Sequence, residues 1–260
     1  MKARRLIALI AVVFLFSCLP KKPEIPGTEV PAGLLVQSLE RQRRSFTGLK
    51  AIASVEVVTR GKKRFFDTVG IVLDAQRRLR VEAFGPLGQS LIAFVWDGND
   101  ILLRTPDDDR IMRPGPAGIE RLLGMNVEAK DLCAIFSGTI TEITRPLDAR
   151  VFCTQNNTCV VELPGGDTVR RIRVLPPSAS PAPSVRIDVQ EFYRSNTLVY
   201  RTRYERMQEI SHVLLPRTIV IENPEKRATI TIEYSEADVN VSVADDAFTL
   251  SDKGTEGSGK

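Results

Sequence analysis

The sequence has very little histidine, and it lacks the short motifs that mark common enzyme active sites. His212 is the only histidine in 260 residues. A zinc site is disfavoured, because there is only this one histidine and because the four cysteines do not have the spacing of zinc ligands. No GxSxG, HExxH, Walker or GxGxxG pattern occurs. We therefore expect a protein that is not an enzyme, with no catalytic residue, no bound metal and no cofactor.

The chain also has little net charge, and its sequence contains no apolar run long enough to span a bilayer. The formal net charge is +4, and three of the positive side chains, Lys2, Arg4 and Arg5, stand before a short apolar run. Without these three the chain carries about +1, so no nucleic acid partner is expected. The run LIALIAVVFLF is too short for the ~20 residues that span a bilayer, but it fits a signal peptide.

A serine and a cysteine end the apolar run. Residues 15–18, Leu-Phe-Ser-Cys, resemble the bacterial lipobox, in which the cysteine is diacylated, exposed by cleavage and then N-acylated. The resemblance implies that residues 1–17 are a lipoprotein signal peptide and that Cys18 carries covalent diacylglycerol and an N-acyl chain. An ordinary signal peptide with an incidental cysteine is the alternative. By the sorting rule of Gram-negative lipoproteins, Leu19 after the cysteine favours the periplasmic face of the outer membrane.

Two of the remaining cysteines are close together in the sequence. FCTQNNTC is typical of a tight hairpin, and in an oxidising compartment Cys153 and Cys159 at its two ends are predicted to form a disulfide. Cys133 lies on an apolar helical face in DLCAIFSG, where we expect a buried, inert thiol.

The rest of the chain divides by its hydrophobic period. Prolines and charges over residues 18–31 predict a flexible tether, and residues 32–46 have the apolar spacing of an amphipathic helix. From residue 48 a period of two predicts about eleven antiparallel strands, interrupted in the middle by two short helices. We expect one mainly β domain over residues 32–250 and a disordered polar tail over 251–260.

About eleven antiparallel strands in one run, with helices at the start and in the middle, predict a strongly curved sheet whose concave face is covered by those helices. A closed transmembrane barrel is disfavoured, since the faces opposite the apolar ones carry charged and amide side chains that contact lipid poorly. Apolar residues that alternate along the strands are expected to lie on this concave face: Leu79, Val81, Ile187, Val189, Ile230 and Ile232.

One combination of strand, turn and helix resembles a known family. VEAFGPLGQSLIAFVWDG, followed by GIERLLGMNVEAKDLCAIFSGTI, resembles LolB, the outer-membrane lipoprotein receptor family. The similarity covers residues 32–140, and the remainder only in strand order. It implies a monomeric, non-catalytic receptor with a LolA/LolB-type carrier fold. This fold is an incomplete antiparallel β-barrel, here of about eleven strands, with a helical lid over an apolar lipid cavity that the six concave-face residues named above would line. Such a receptor takes the acyl chains of lipoproteins from a soluble periplasmic LolA-like carrier and transfers them to the outer membrane.

The turn Gly85-Pro86-Leu87-Gly88 falls on the protruding loop of that family, where an exposed leucine helps to deliver cargo into the membrane. Proline and two glycines make a stiff turn that lifts Leu87 outward. The alternative is a leucine folded back on the core.

The proline-rich loop at 175–183, the predicted disulfide and the polar tail are additions to a compact member of the family. A second function therefore stays open, because a shared fold does not fix a shared activity. The chain could be an envelope assembly or sensor lipoprotein that uses the same fold to bind a protein partner.

Overall fold

The computed structural model describes residues 25–105, 108–115, 120, 123–175 and 185–250. The predicted signal peptide, Cys18, most of the first of the two predicted middle helices, the proline-rich segment 176–184 and the tail 251–260 lie outside these residues. Within them the chain forms one large antiparallel sheet of fourteen strands. The strands, numbered along the chain, are β1 Thr28–Val30, β2 Gly48–Thr59, β3 Lys62–Asp74, β4 Leu79–Phe84, β5 Ser90–Trp96, β6 Ile101–Thr105, β7 Asp108–Met112, β8 Arg150–Cys153, β9 Cys159–Gly165, β10 Thr168–Leu175, β11 Arg186–Arg194, β12 Thr197–Ile210, β13 Val213–Asn223 and β14 Ala228–Val239.

The sheet consists of two meanders that join in its middle. Strands β2 to β7 follow one another, strands β8 to β14 do the same, and β14 pairs with β2 over almost its whole length. The edges of the open sheet are β1 and β7. The predicted fold class is confirmed, with more strands than the eleven expected.

One short segment, β1, accounts for part of the difference in strand number. The predicted tether, residues 18–31, contains β1, which pairs with β8 through Thr28 and Cys153. The tether prediction is therefore wrong for these last residues. Three residues are too few to show an alternating pattern, and their pairing depends on β8, more than 120 residues away along the chain, which local sequence does not reveal.

Several hairpins close with two residues in the left-handed region, the geometry of type I′ turns. Arg60 and Gly61 join β2 to β3 with φ of 51° and 79°, and Ser211 and His212 join β12 to β13 with φ of 49° and 63°. The only histidine of the chain is thus an exposed turn residue. The hairpin between β8 and β9 places Cys153 opposite Cys159, with their sulfur atoms 2.05 Å apart.

The first helix, α1 (Gly33–Ser45), packs one narrow face on the sheet. Val36, Leu39 and Gln42 are buried, in step with the helical repeat. Leu34 is 82% exposed despite its apolar side chain, because it precedes the buried stripe by two residues and points away from it. Phe46, directly after the helix, is buried in the core.

The second helix, α2 (Ala129–Phe136), lies inside the curve of the sheet. Every residue of α2 except Lys130 is buried. The free Cys133 belongs to this buried set; its thiol donates to the Arg77 carbonyl at 2.9 Å. Burial raises the pKa of Cys133 above its usual range, as expected for an inert thiol.

Polar side chains of the sheet hold α2 in place. Asp131, 1% exposed, accepts hydrogen bonds from Arg170 Nη2 at 2.6 Å and from Tyr200 Oη at 2.7 Å. Burial and the Asp131 charge raise the pKa of Tyr200 well above its usual range, so its hydroxyl stays protonated and donates. Tyr234 Oη donates to the Phe136 carbonyl at 2.9 Å. These bonds come from three separate strands, so they fix both the position and the orientation of the helix.

We expect Asp131→Asn to lower the free energy of unfolding by about 2 to 3 kcal/mol, because it leaves the half-buried Arg170 without its counter-charge. Urea unfolding measures the loss. Lys130→Gln is the matched control, since the neighbouring Lys130 makes only an exposed ion pair with Glu128 and should change stability by less than about 0.5 kcal/mol. Equal effects of the two substitutions would contradict the assignment of Asp131 as the anchor of α2.

Candidate functional site

An apolar cavity of about 120 Å³ lies between α2 and the sheet. Six neighbouring strands, from β13 through β14 and β2 to β5, form its floor, and Leu132 and Phe136 on one face of α2 form its roof. Leu123, from the segment before α2, completes the wall. The residues of the sheet that line the cavity are Val55, Val57, Arg64, Phe66, Val69, Val81, Ala83, Ile92, Phe94, Ile221, Ile230 and Ile232.

Three of the six residues proposed for the cavity from the sequence line it, namely Val81, Ile230 and Ile232. Leu79 and Ile187 lie elsewhere in the same hydrophobic core, both almost completely buried. They share the concave side with the cavity but are too far along their strands, or too far across the sheet, to reach it.

Val189 does not belong to the cavity, because a β-bulge reverses the alternation of β11. Val174 pairs with Ile187, whereas its neighbour Arg173 pairs with Val189, so Asp188 is the extra residue. After a bulge the side chains point to the opposite face of the sheet. Val189 therefore lies on the convex face, in a groove that it shares with Arg173 and Glu191.

Simple alternation along β11 would put Gln190 on the outer face with Arg186 and Asp188, but the same bulge turns its side chain inward. Its amide nitrogen donates to the Thr139 carbonyl at 2.6 Å and to Tyr204 Oη at 2.9 Å. The inward amide is thus satisfied and adds another bond between the sheet and the segment after α2.

The cavity residues on β2, β3, β5 and β13 were not predicted from the sequence. Val55 and Val57 alternate along β2, and Ile92 and Phe94 alternate along β5. The period-two signal for these residues is as strong as that for β14. What the sequence does not show is that β14 pairs with β2, which brings the two meanders together around one cavity.

The mouth of the cavity lies at one end of its strands. Most lining residues are buried, whereas Val55, Phe66, Val81, Ile92 and Leu123 are half-buried and Arg64 is exposed. Ala83 and Ile92 are cross-strand partners, and the turn from Gly85 to Gly88 begins two residues further along β4. The cavity therefore opens on the side of the sheet where this turn protrudes.

Leu87 is 93% exposed at the tip of that turn. The Gly88 amide donates to the Gly85 carbonyl at 2.9 Å, and the Leu87 amide donates to the Gln89 side chain at 3.0 Å. Gly88 has φ of 76°, a conformation that favours glycine. The alternative, in which Leu87 folds back on the core, is therefore excluded by its exposure in this structure.

A second cleft of about 500 Å³ lies on the other side of α2. It is larger but polar, and several of its cations already have carboxylate partners: Arg43 with Glu40, Lys130 with Glu128, Arg145 with Asp148 and Arg170 with Asp131. The apolar cavity is the better candidate site, because its lining offers an apolar ligand almost no competing polar group.

Neither metal sites nor membrane-spanning helices are found in the described part of the chain. No group of three histidine, cysteine or acidic side chains could hold a metal ion there. No helix of the described residues has both the length and the apolar composition needed to cross a bilayer.

The volume of the cavity limits what it can hold as it stands. An engineered cavity of about 150 Å³ accepts benzene, whereas pockets for ligands of appreciable size occupy roughly 300 Å³ or more. At about 120 Å³ the cavity has room for only a short piece of an acyl chain. A longer chain requires the walls to move apart.

Comparison with solved structures identifies the fold. The chain is similar to a LolA superfamily protein from Nitrosomonas europaea, with a TM-score of 0.56 and 15% identity over 85% of this chain and 98% of that one. It is also similar to a putative outer membrane lipoprotein-sorting protein domain from Vibrio parahaemolyticus (TM-score 0.61, 12% identity, 83% and 95% covered). A DUF1329 family protein from Desulfovibrio piger gives a TM-score of 0.53 at 11% identity, with 84% and 97% covered.

No protein-family model matches the sequence, and no curated protein matches it either. The structural similarities show a LolA-like fold. Identities of 11–15% do not carry a function across, and they do not distinguish a LolB-type receptor from other proteins with this fold.

Proposed function

We propose that this protein is a non-catalytic, lipid-anchored envelope protein that binds acyl chains of lipoproteins or similar lipids and passes them to the outer membrane. The observation that carries the proposal is the apolar cavity under α2, where fourteen of fifteen lining residues have uncharged, mostly branched or aromatic side chains. Burial of apolar surface contributes about 25 cal/mol per Å² and needs no fixed polar partner. Such binding suits a carrier that must accept and release its cargo.

Binding of a complete acyl chain needs a wider cavity than the resting one. α2 is bonded to the sheet through Asp131 and Phe136, so moving the whole helix would break several hydrogen bonds. The half-buried side chains at the mouth, Phe66, Ile92 and Leu123, can turn outward without breaking any. We expect the cavity to widen from its mouth, while the anchored helix keeps its place.

The position of Leu87 supports delivery to a membrane. The turn that carries Leu87 lies at the same end of the strands as the cavity mouth, and the Leu87 side chain is almost completely exposed. An apolar side chain on a stiff turn can enter an acyl layer. Cargo leaving the cavity would then emerge next to the bilayer. Lipidation of Cys18 would keep the domain there, and a soluble LolA-like carrier would supply the cargo.

Filling the cavity should abolish acyl binding. Ala83→Leu adds three carbons at the floor of the cavity, so we expect it to weaken binding of a fluorescent triacyl lipopeptide by at least about tenfold. The experiment titrates the full chain in phosphatidylcholine nanodiscs, with empty nanodiscs as the blank. Ala75→Leu is the matched control, because it adds the same carbons at an exposed turn between β3 and β4.

Wild-type binding that is lost in the Ala83 variant and kept in the Ala75 variant supports the proposal. Equal binding by both variants would place the lipopeptide outside the cavity. No binding by the wild type would refute the acyl-binding function itself.

Delivery should depend on Leu87 and not on exposed leucines in general. We expect Leu87→Glu to slow transfer of bound lipopeptide to acceptor vesicles about tenfold or more, with no change in lipopeptide affinity or melting temperature. Leu147→Glu is the control, because Leu147 is 97% exposed near the second cleft, on the other side of α2. Transfer that slows equally in both variants would contradict a specific role of the turn.

The small cavity also favours a second candidate function. A hollow that its own side chains nearly fill fits an envelope assembly or sensor lipoprotein that binds a protein partner through the outer surfaces of the fold. In that case the Ala83→Leu variant would keep full activity in cells.

A further inference from the structure

Arg64 is the one charged residue that lines the apolar cavity. It lies near the start of β3 and pairs with Val57 of β2, while Phe66 pairs with Val55. Cross-strand partners share a face of the sheet. All four side chains therefore project to the concave side, and Arg64 stands at the exposed end of this apolar row.

The Arg64 guanidinium has no ion pair and no hydrogen bond with any residue that the structure describes. Arg170, Arg43 and Arg145, which line the second cleft, differ from Arg64 because each of them has a carboxylate partner. Glu120, three residues before the lining residue Leu123, is itself paired with Lys226. An arginine side chain beside apolar carbon with no carboxylate is suited to an anion supplied by a ligand.

The rest of the β2–β3 hairpin adds to the positive potential at the mouth. Arg60, Lys62 and Lys63 surround Arg64 at the exposed tip. Only Lys63 has an acidic partner, Glu56, at 2.6 Å on the convex face. Three cations without partners among the described residues thus remain next to the mouth of a cavity whose interior is apolar.

We propose that the ligand of this cavity is an anionic amphiphile, with its acyl chain in the cavity and its carboxylate or phosphate bound to Arg64. The inference rests on the acyl-binding function proposed above and names its ligand class. The planar guanidinium offers two parallel donors to either oxyanion, so it recognises the charge and the geometry that fatty acids and phospholipids share. A neutral lipid of the same length would fill the same apolar space without this contact.

The test compares three ligands of equal chain length with the full chain in phosphatidylcholine nanodiscs, corrected with empty nanodiscs. Calorimetric titration at neutral pH with decanoate, decyl phosphate and decanol separates the contribution of the chain from that of the charged head. We expect the two anions to bind about tenfold more tightly than decanol, and this preference to shrink as salt is raised.

Substitutions on adjacent residues assign the preference to one side chain. Arg64→Gln should remove most of the preference for the anions and leave decanol binding unchanged, whereas Arg64→Lys should keep a smaller preference. Lys63→Gln is the matched control, because Lys63 is the next residue on the same strand and points to the opposite face. Its removal should change none of the three affinities by more than about twofold.

The outcomes separate this inference from the function on which it rests. Loss of the anion preference in the Arg64→Gln variant alone supports the inference, and a difference between decanoate and decyl phosphate identifies the natural head group. Equal affinity of decanol and the anions, or equal effects of the two glutamine variants, would overturn it while acyl binding stands. Failure of all three ligands to bind would overturn acyl binding as well.

Discussion

The structure depends on how a strongly curved sheet covers its own concave face. Fourteen strands in one open sheet expose a broad apolar surface on the inside, and a short helix is the element that fills it. Asp131 is buried on that helix and is neutralised by Arg170, with Tyr200 as a second donor. Moving the helix would separate Asp131 from Arg170 and leave a buried charge without its partner, which costs free energy. The helix is thereby held in one orientation, with Leu132 and Phe136 above the cavity.

This arrangement separates two properties that a carrier must combine. The bonds to Asp131 and Phe136 make the roof of the cavity rigid, whereas the mouth is built from half-buried apolar side chains and the exposed Arg64. A rigid roof keeps the interior dry and apolar when no ligand is bound. A mouth without hydrogen bonds between its apolar residues can open at little energetic cost. If the proposed function holds, the small resting volume belongs to a closed state of the cavity, and the exposed turn at Leu87 lies where its contents would leave.

Local patterns in the sequence predicted the mainly β fold, the curved sheet and the buried cysteine, because each rests on neighbouring residues or on simple alternation. They failed where a single residue changes the register. One extra residue in β11, Asp188, places Val189 on the convex face and Gln190 in the interior. The sequence of β11 has no pattern that predicts this bulge. They also could not show that β14 pairs with β2, the contact that places Val55 and Ile230 around one cavity. The role of Arg64 could not be predicted either, because in the sequence it is one of four cationic residues in a polar hairpin. Only the folded sheet shows that Arg64 lines the cavity.

The central claim is that the cavity under α2 holds an acyl chain in the cell. Native mass spectrometry of the full chain, released gently from its membrane, tests this most directly. The account predicts a population whose extra mass corresponds to one bound lipid or lipopeptide, and which disappears in a variant with the cavity filled. A chain that carries no lipid but copurifies with a stoichiometric protein partner would contradict the claim and favour a tethered scaffold.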